Sequence, residues 1–207
     1  MIGRLKDCPD VERVFVMDYL HLYNPENDQA CIMVFNVLDA YLDDKSAPVV
    51  LSASKLFYAF ALKLKTSSSG ILKDFILKIS PQITRFLKGH TNHEFQFSVM
   101  HFLTELSDEA FVELIPITNH FHFKLKEHTD CKRLKCQLLF RFCELSLKNN
   151  SEMSKNDGII DYLLSQLPYQ PSIRMELVSY ICQISSLCKE LSCNNTVEDR
   201  YDVLKCL

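Results

Sequence analysis

The sequence predicts an all-α chain, and three observations carry that expectation. Apolar residues recur at the spacing of a helix face along most of the length, as in Ile32, Phe35, Leu38 and Leu42. Only 4 Gly and 7 Pro occur in 207 residues, fewer than the phosphate loops and sharp turns of an α/β enzyme require. No strand-like alternation is long enough to compete. Residues 121–126 alternate, but they are short and read as a connector between helices.

The elements follow in order. Pro9 and Asp10 open a first helix, with Val11, Val14, Phe15, Leu20 and Leu22 supplying apolar faces. Asn24 and Pro25 suit the N-cap and first turn of the next helix, which carries the Ile32–Leu42 face. Ser46 can cap a third helix with Pro48 in its first turn and Val50, Ser54, Phe57 and Ala61 on one face. After a Ser-Ser-Ser-Gly loop at 67–70, residues 71–87 read as helical, with a kink at Pro81 and a stop at Gly89. Helices are expected at 93–106 and 109–115, and Asp130 can cap one over 131–147. A polar loop at 148–157 precedes helices at 158–167, 172–191 and 197–207.

The stronger helices start near Pro48, His93, Asp130 and Pro171, which are 45, 37 and 41 residues apart. About 40 residues with two helices each is the period of HEAT and armadillo repeats. One helix pair cannot bury its apolar face alone, so pairs stack. The expected architecture is therefore a HEAT/armadillo-like α-α superhelical solenoid, with residues 1–207 as a single segment of it.

Composition narrows the function classes. The chain is 47% hydrophobic and 24% charged with a net charge of -3, which suits a folded core and excludes a general nucleic-acid binder. Its 9 Cys are odd in number, and most sit among apolar residues, as do Cys136 and Cys143, so buried thiols in a reducing compartment are expected. Residues 1–7 have no apolar signal-peptide core. No apolar run approaches the roughly 20 residues of a transmembrane helix. The Asn149 and Asn194 sequons read as chance matches, and the expected setting is cytosolic.

Candidate chemistry is sparse. His120, His122, His128, Cys131 and Cys136 share a short window, but Cys131 and Cys136 are five apart and fall on different sides of a helix, against the tight pairs that structural zinc prefers. No metal or other cofactor is expected. There is no Gly-x-x-x-x-Gly-Lys phosphate loop, nucleophile turn or His-Glu-x-x-His, so the chain reads as a non-enzyme. Lys124, Lys126, Lys132, Arg133 and Lys135 form a basic cluster that can contact an anion or acidic partner, such as phosphoinositide headgroups, although Glu127 and Asp130 interrupt it. Its simpler reading is a solvated helix start. Phe75, Phe86, Phe95, Phe97, Phe102, Phe140 and Phe142 are core residues first, and any that face outward become partner contacts.

Four stretches carry a resemblance to a known family. They are Val14-Phe15-Val16-Met17-Asp18-Tyr19-Leu20, Tyr23-Asn24-Pro25-Glu26-Asn27-Asp28, Val37-Leu38-Asp39-Ala40-Tyr41-Leu42 and Ser46-Ala47-Pro48-Val49-Val50-Leu51-Ser52-Ala53-Ser54-Lys55-Leu56. Together they resemble the trunk of the β-adaptins, the large β subunits of clathrin-type adaptor-protein complexes. The likeness covers roughly residues 11–61 and continues more weakly through Arg133-Leu134 toward residue 191. Lys55-Leu56-Phe57 leans toward the β subunit of the fourth adaptor complex. The family's Trp-Gly before the first helix reads Pro9-Asp10-Val11 here, and no family site residue carries over.

The resemblance implies an incomplete trunk of a larger adaptin-like chain. It would be a scaffold in vesicle-mediated intracellular protein transport, peripheral on trans-Golgi or endosomal membranes. Its partners would be the medium, small and second large adaptor subunits and, through the complex, a membrane surface, with no nucleic acid. A HEAT/armadillo interaction scaffold unrelated to coats is the alternative, and an all-α enzyme or metalloprotein a third.

Overall fold

The computed structural model describes residues 2–64, 69–89, 92–114, 129–148, 163–165 and 174–192. These are helical apart from turns, with no strand among them. They group into two compact units, Met1–Lys124 and Leu125–Leu207. Among the described residues no helix is long and apolar enough to cross a membrane.

The first unit opens with a 3-10 helix, Ile2–Asp7, and then α1, Asp10–Leu20. Helix α2, Asp28–Leu38, begins later than the Asn24-Pro25 pair suggests. Asn27 is its N-cap, extended at φ -153°, and its side chain accepts the Ala30 N–H at 2.9 Å. The helix tightens into a 3-10 turn at Asp39–Tyr41, so Leu42 lies beyond it yet remains buried. Helix α3, Ala47–Ala61, has Ser46 at its N-cap and Pro in its first turn, as expected. The Ser46 hydroxyl, however, makes no capping bond. Its N–H instead donates to Asp44 Oδ1 at 2.8 Å.

Helix α4, Ser69–Gly89, starts inside the anticipated Ser-rich loop, ends at Gly89 as the sequence suggests, and runs through Pro81. Pro81 has no N–H for the Leu77 carbonyl four residues back. The buried Ser80 hydroxyl donates to that same carbonyl at 3.2 Å, which keeps the acceptor satisfied. Helix α5, His93–Glu105, is capped by Asn92, whose side chain accepts the Glu94 and Phe95 N–H groups. Helix α6, Asp108–Val112, is capped by Ser107.

Helix α3 is the axis of this unit and packs against α1, α2, α4 and α5. Its buried residues cover most of the helix circumference, among them Val50, Ser52, Ala53, Leu56, Phe57 and Tyr58, and leave only a strip at Pro48, Lys55 and Ala59 exposed or half-buried. Phe57 lies between Phe35 of α2 and Phe75 of α4, with ring centroids 4.3 and 4.6 Å apart. Its neighbour Tyr58 meets Phe102 of α5 edge to face at 6.2 Å, and its hydroxyl accepts the Ser107 N–H that precedes α6. Two adjacent aromatic residues thus tie α3 to four other helices. The buried Ser54 hydroxyl is satisfied within the helix by the Val50 carbonyl at 2.7 Å.

Contacts between alternate helices advance in step. Asp18 of α1 meets Ser52 of α3, and Tyr23 just beyond α1 meets Phe60. Asp39 and Asp43, after α2, meet Lys78 and Gln82 of α4. Phe95 of α5 packs against the Ala47, Val50 and Phe86 cluster, and Phe102 against Tyr58. Helices α1, α3 and α5 therefore run in the same direction.

In the second unit, α7, Thr129–Lys148, packs on α8, Arg174–Ser192, and residues 163–165 are helical between them in sequence. Asp130 therefore lies inside α7. Arg133 bonds Glu176, and Phe140 stacks on Tyr180 at 4.4 Å, so these two helices also run in the same direction. The expected helix at 197–207 and the loop at 149–157 lie outside the described residues.

Ala53 has no exposed surface on α3. Ala53→Leu should overpack this face and lower unfolding stability by about 1–3 kcal/mol in urea titration. An unchanged urea midpoint would show that the helices around Ala53 are loosely packed.

Candidate interaction surface

Of the basic cluster read from the sequence, the side chains of Arg133 and Lys135 are described. Lys124 and Lys126 lie outside the described residues, as does the Lys132 side chain. Arg133 is exposed, but its guanidinium is engaged by Glu176 in a two-pronged pair. Lys135 is only 1% exposed, because its position falls on the buried face of α7 with Cys136, Leu139 and Phe142. An outward anion contact at Lys135 is thereby corrected, and at Arg133 an anion would have to displace Glu176.

His120, His122, His128 and the Cys131 side chain lie outside the described residues, and Cys136 is buried. Among the described residues no three His, Cys, Asp or Glu side chains gather closely enough to hold a metal ion. Cys31, Cys136 and Cys143 are buried and Cys8 half-buried, whereas Cys182 is exposed. Of the seven singled-out phenylalanines, Phe75, Phe86, Phe102 and Phe142 are core, and Phe97 faces outward.

The most distinctive exposed surface is on α1. Val11, Phe15, Tyr19 and Leu22, the last just past its end, are 65%, 68%, 65% and 78% exposed. They follow one another at four- and three-residue spacing and so form a single stripe. Met17, on the opposite side, is wholly buried and anchors the helix. Spacing alone places Val11, Phe15 and Leu22 on apolar faces without separating this stripe from the core side. The available signal was that α1 carries apolar residues on both sides, more than one core face accounts for.

Every exposed charged side chain on α1 is acidic: Asp10, Glu12 and Asp18. Its one cation, Arg13, is turned inward. Arg13 Nε donates to the Cys8 carbonyl at 2.8 Å, Nη2 to the Lys6 carbonyl at 3.2 Å and Nη1 to Asp44 Oδ2 at 3.2 Å. One guanidinium therefore joins the 3-10 helix, α1 and the turn that starts α3, a set of bonds a lysine cannot reproduce.

Burial lowers the pKa of His21, at the C-terminal end of α1, below its ordinary value of 6.5, with Asp18 opposing and Lys55 and Lys63 reinforcing. Burial likewise pushes the Cys31 thiol and the Tyr41 and Tyr180 hydroxyls up, which keeps them neutral.

Against known proteins, no family model matches the chain, and no solved structure matches it.

The His21 environment has a measurable consequence. The folded state favours neutral His21, so below about pH 6.5 the unfolded chain binds more protons and stability falls as pH falls. Thermal melts should show a lower Tm at pH 5.5 than at pH 7.5, and His21→Gln should shrink that difference. An identical pH response in the variant would assign the effect to other groups.

Proposed function

We propose that this chain is a protein-interaction scaffold of the α-α superhelical type, a β-adaptin-like trunk segment acting in vesicle coat assembly. The observation that carries the solenoid is the sequence separation between packed alternate helices. Lys63 reaches the Tyr23 carbonyl 40 residues away, Lys78 reaches Asp39 39 away, and Arg133 reaches Glu176 43 away. Helix pairs stacked with a period of about 40 residues produce this spacing. The spacing recurs inside each of the two compact units taken by itself.

The coat assignment rests on the resembling stretches within residues 11–61. Three of them fall on α1 and α3 or on the turn after α2, the elements that form the centre of the first unit. In this reading stacked helices fix relative positions, and outward faces hold the medium, small and second large adaptor subunits. The complex would sit on the cytosolic face of trans-Golgi or endosomal membranes. The chain itself would supply no reaction step and need no cofactor.

Affinity purification of the tagged chain from cells, with the recovered proteins identified by mass spectrometry, tests the assignment. Stoichiometric medium, small and second large adaptor subunits are expected. Recovery of nuclear-transport cargoes or signalling kinases without adaptor subunits would instead make it a scaffold unrelated to coats.

A further inference from the structure

We infer that the outward face of α1 docks an amphipathic helix of another protein, one whose apolar stripe is bordered by lysine or arginine. Three features of α1 lead to this occupant. The first is size. Val11, Phe15, Tyr19 and Leu22 together offer on the order of 500 Å² of apolar surface, at the upper end for a monomer's largest patch. That falls short of the roughly 800 Å² each partner gives to a standard-size interface, but it suits one helix laid along another.

The second feature is charge. With Arg13 engaged by Asp44, Asp10 and two backbone carbonyls, the exposed acids left beside the stripe are Glu12 and Asp18. On a helical wheel Glu12 lies on one border of the stripe and Asp18 on the other. A second copy of this chain would set acidic borders against acidic borders, a like-charge arrangement that costs affinity. A helix with basic borders meets both.

The third is preparation. The stripe lies on a helix already held by buried Met17, by the Asp18–Ser52 hydrogen bond at 3.3 Å and by the Arg13 clamp. The receiving surface is therefore ordered before the partner arrives, which limits the entropy lost on docking. Docking of this kind depends on α1 alone and stands whether or not the chain serves a coat.

The test uses the full chain and two labelled 18-residue synthetic helices sharing one leucine stripe, one bordered by lysines and the other by glutamates. Fluorescence anisotropy should show the lysine-bordered helix binding at least 10-fold more tightly. Phe15→Ser with Tyr19→Ser should weaken it at least 10-fold, and Glu12→Lys with Asp18→Asn should remove the preference between peptides. These positions are exposed, and the Asp18→Asn change keeps an amide oxygen for the Ser52 hydroxyl, so far-UV circular dichroism should be unchanged.

A photoreactive benzoylphenylalanine in place of Phe15 gives a second readout in the otherwise intact chain, and it should crosslink to the lysine-bordered helix. Equal affinity for the two peptides, binding indifferent to Phe15 and Tyr19, or no crosslink would overturn the proposal. So would dimerisation in sedimentation velocity that Phe15→Ser abolishes, because the occupant would then be a second copy.

Discussion

Burial of α3 over most of its circumference is the constraint on which the first unit depends. A helix that meets four others must be narrow where they approach and wide where they are held apart. Ala47, Ala53 and Ala61 provide the narrow places, and Phe57 and Tyr58 the wide ones. Phe57 spans from α2 to α4, while Tyr58 reaches α5 and the start of α6. An aromatic pair of this kind gains about 0.5–1.5 kcal/mol beyond its buried area, so the stack has directional as well as hydrophobic weight. The polar residues of α3 conform to the same constraint: Ser54 bonds its own helix and Ser52 bonds Asp18.

The surface follows from that core. With buried Met17 on its inner side and Asp18 bonded to Ser52 at its border, α1 is left with an outward stripe that no described residue covers enough to bury. Arg13 lies on the opposite side of α1 from the stripe, where its guanidinium is held by Asp44 and two backbone carbonyls. In the proposed scaffold role, the surfaces that matter are those the packed helices leave outward. The exposed ion pairs along the flank, such as Lys78 with Asp39 and Asp43, contribute little stability individually.

Much of the helical fold was legible because a 3.6-residue period survives local detail. The Val50, Ser54, Phe57 and Ala61 face of α3 is buried as the spacing implied, and Gly89 ends α4. Cap choice was less legible. Asn24 and Asn27 are both good cap residues, and only the backbone decides that Asn27 takes the role. At Pro81, read as a break or kink, the helix does not break, and the sequence does not show that Ser80 would take over the Leu77 carbonyl.

The surface was the least legible part. A run such as Lys132, Arg133 and Lys135 looks uniformly basic in one dimension, yet the helix turns Lys135 into the core and hands Arg133 to Glu176, 43 residues away. Likewise Val11 and Val14 are equivalent as letters, and only the position of α3 makes one of them outward. Partners across long sequence separations decide these outcomes, and local spacing does not encode them.

Native-state hydrogen exchange with increasing denaturant tests the central role of α3 most directly. Amides in the last two turns of α3 should exchange only through global unfolding, with a steep denaturant dependence, while those of α1 open locally at lower cost. Exchange of α3 by local opening at free energies no higher than those of α1 would contradict the account, because the helix could then come loose without the rest of the unit.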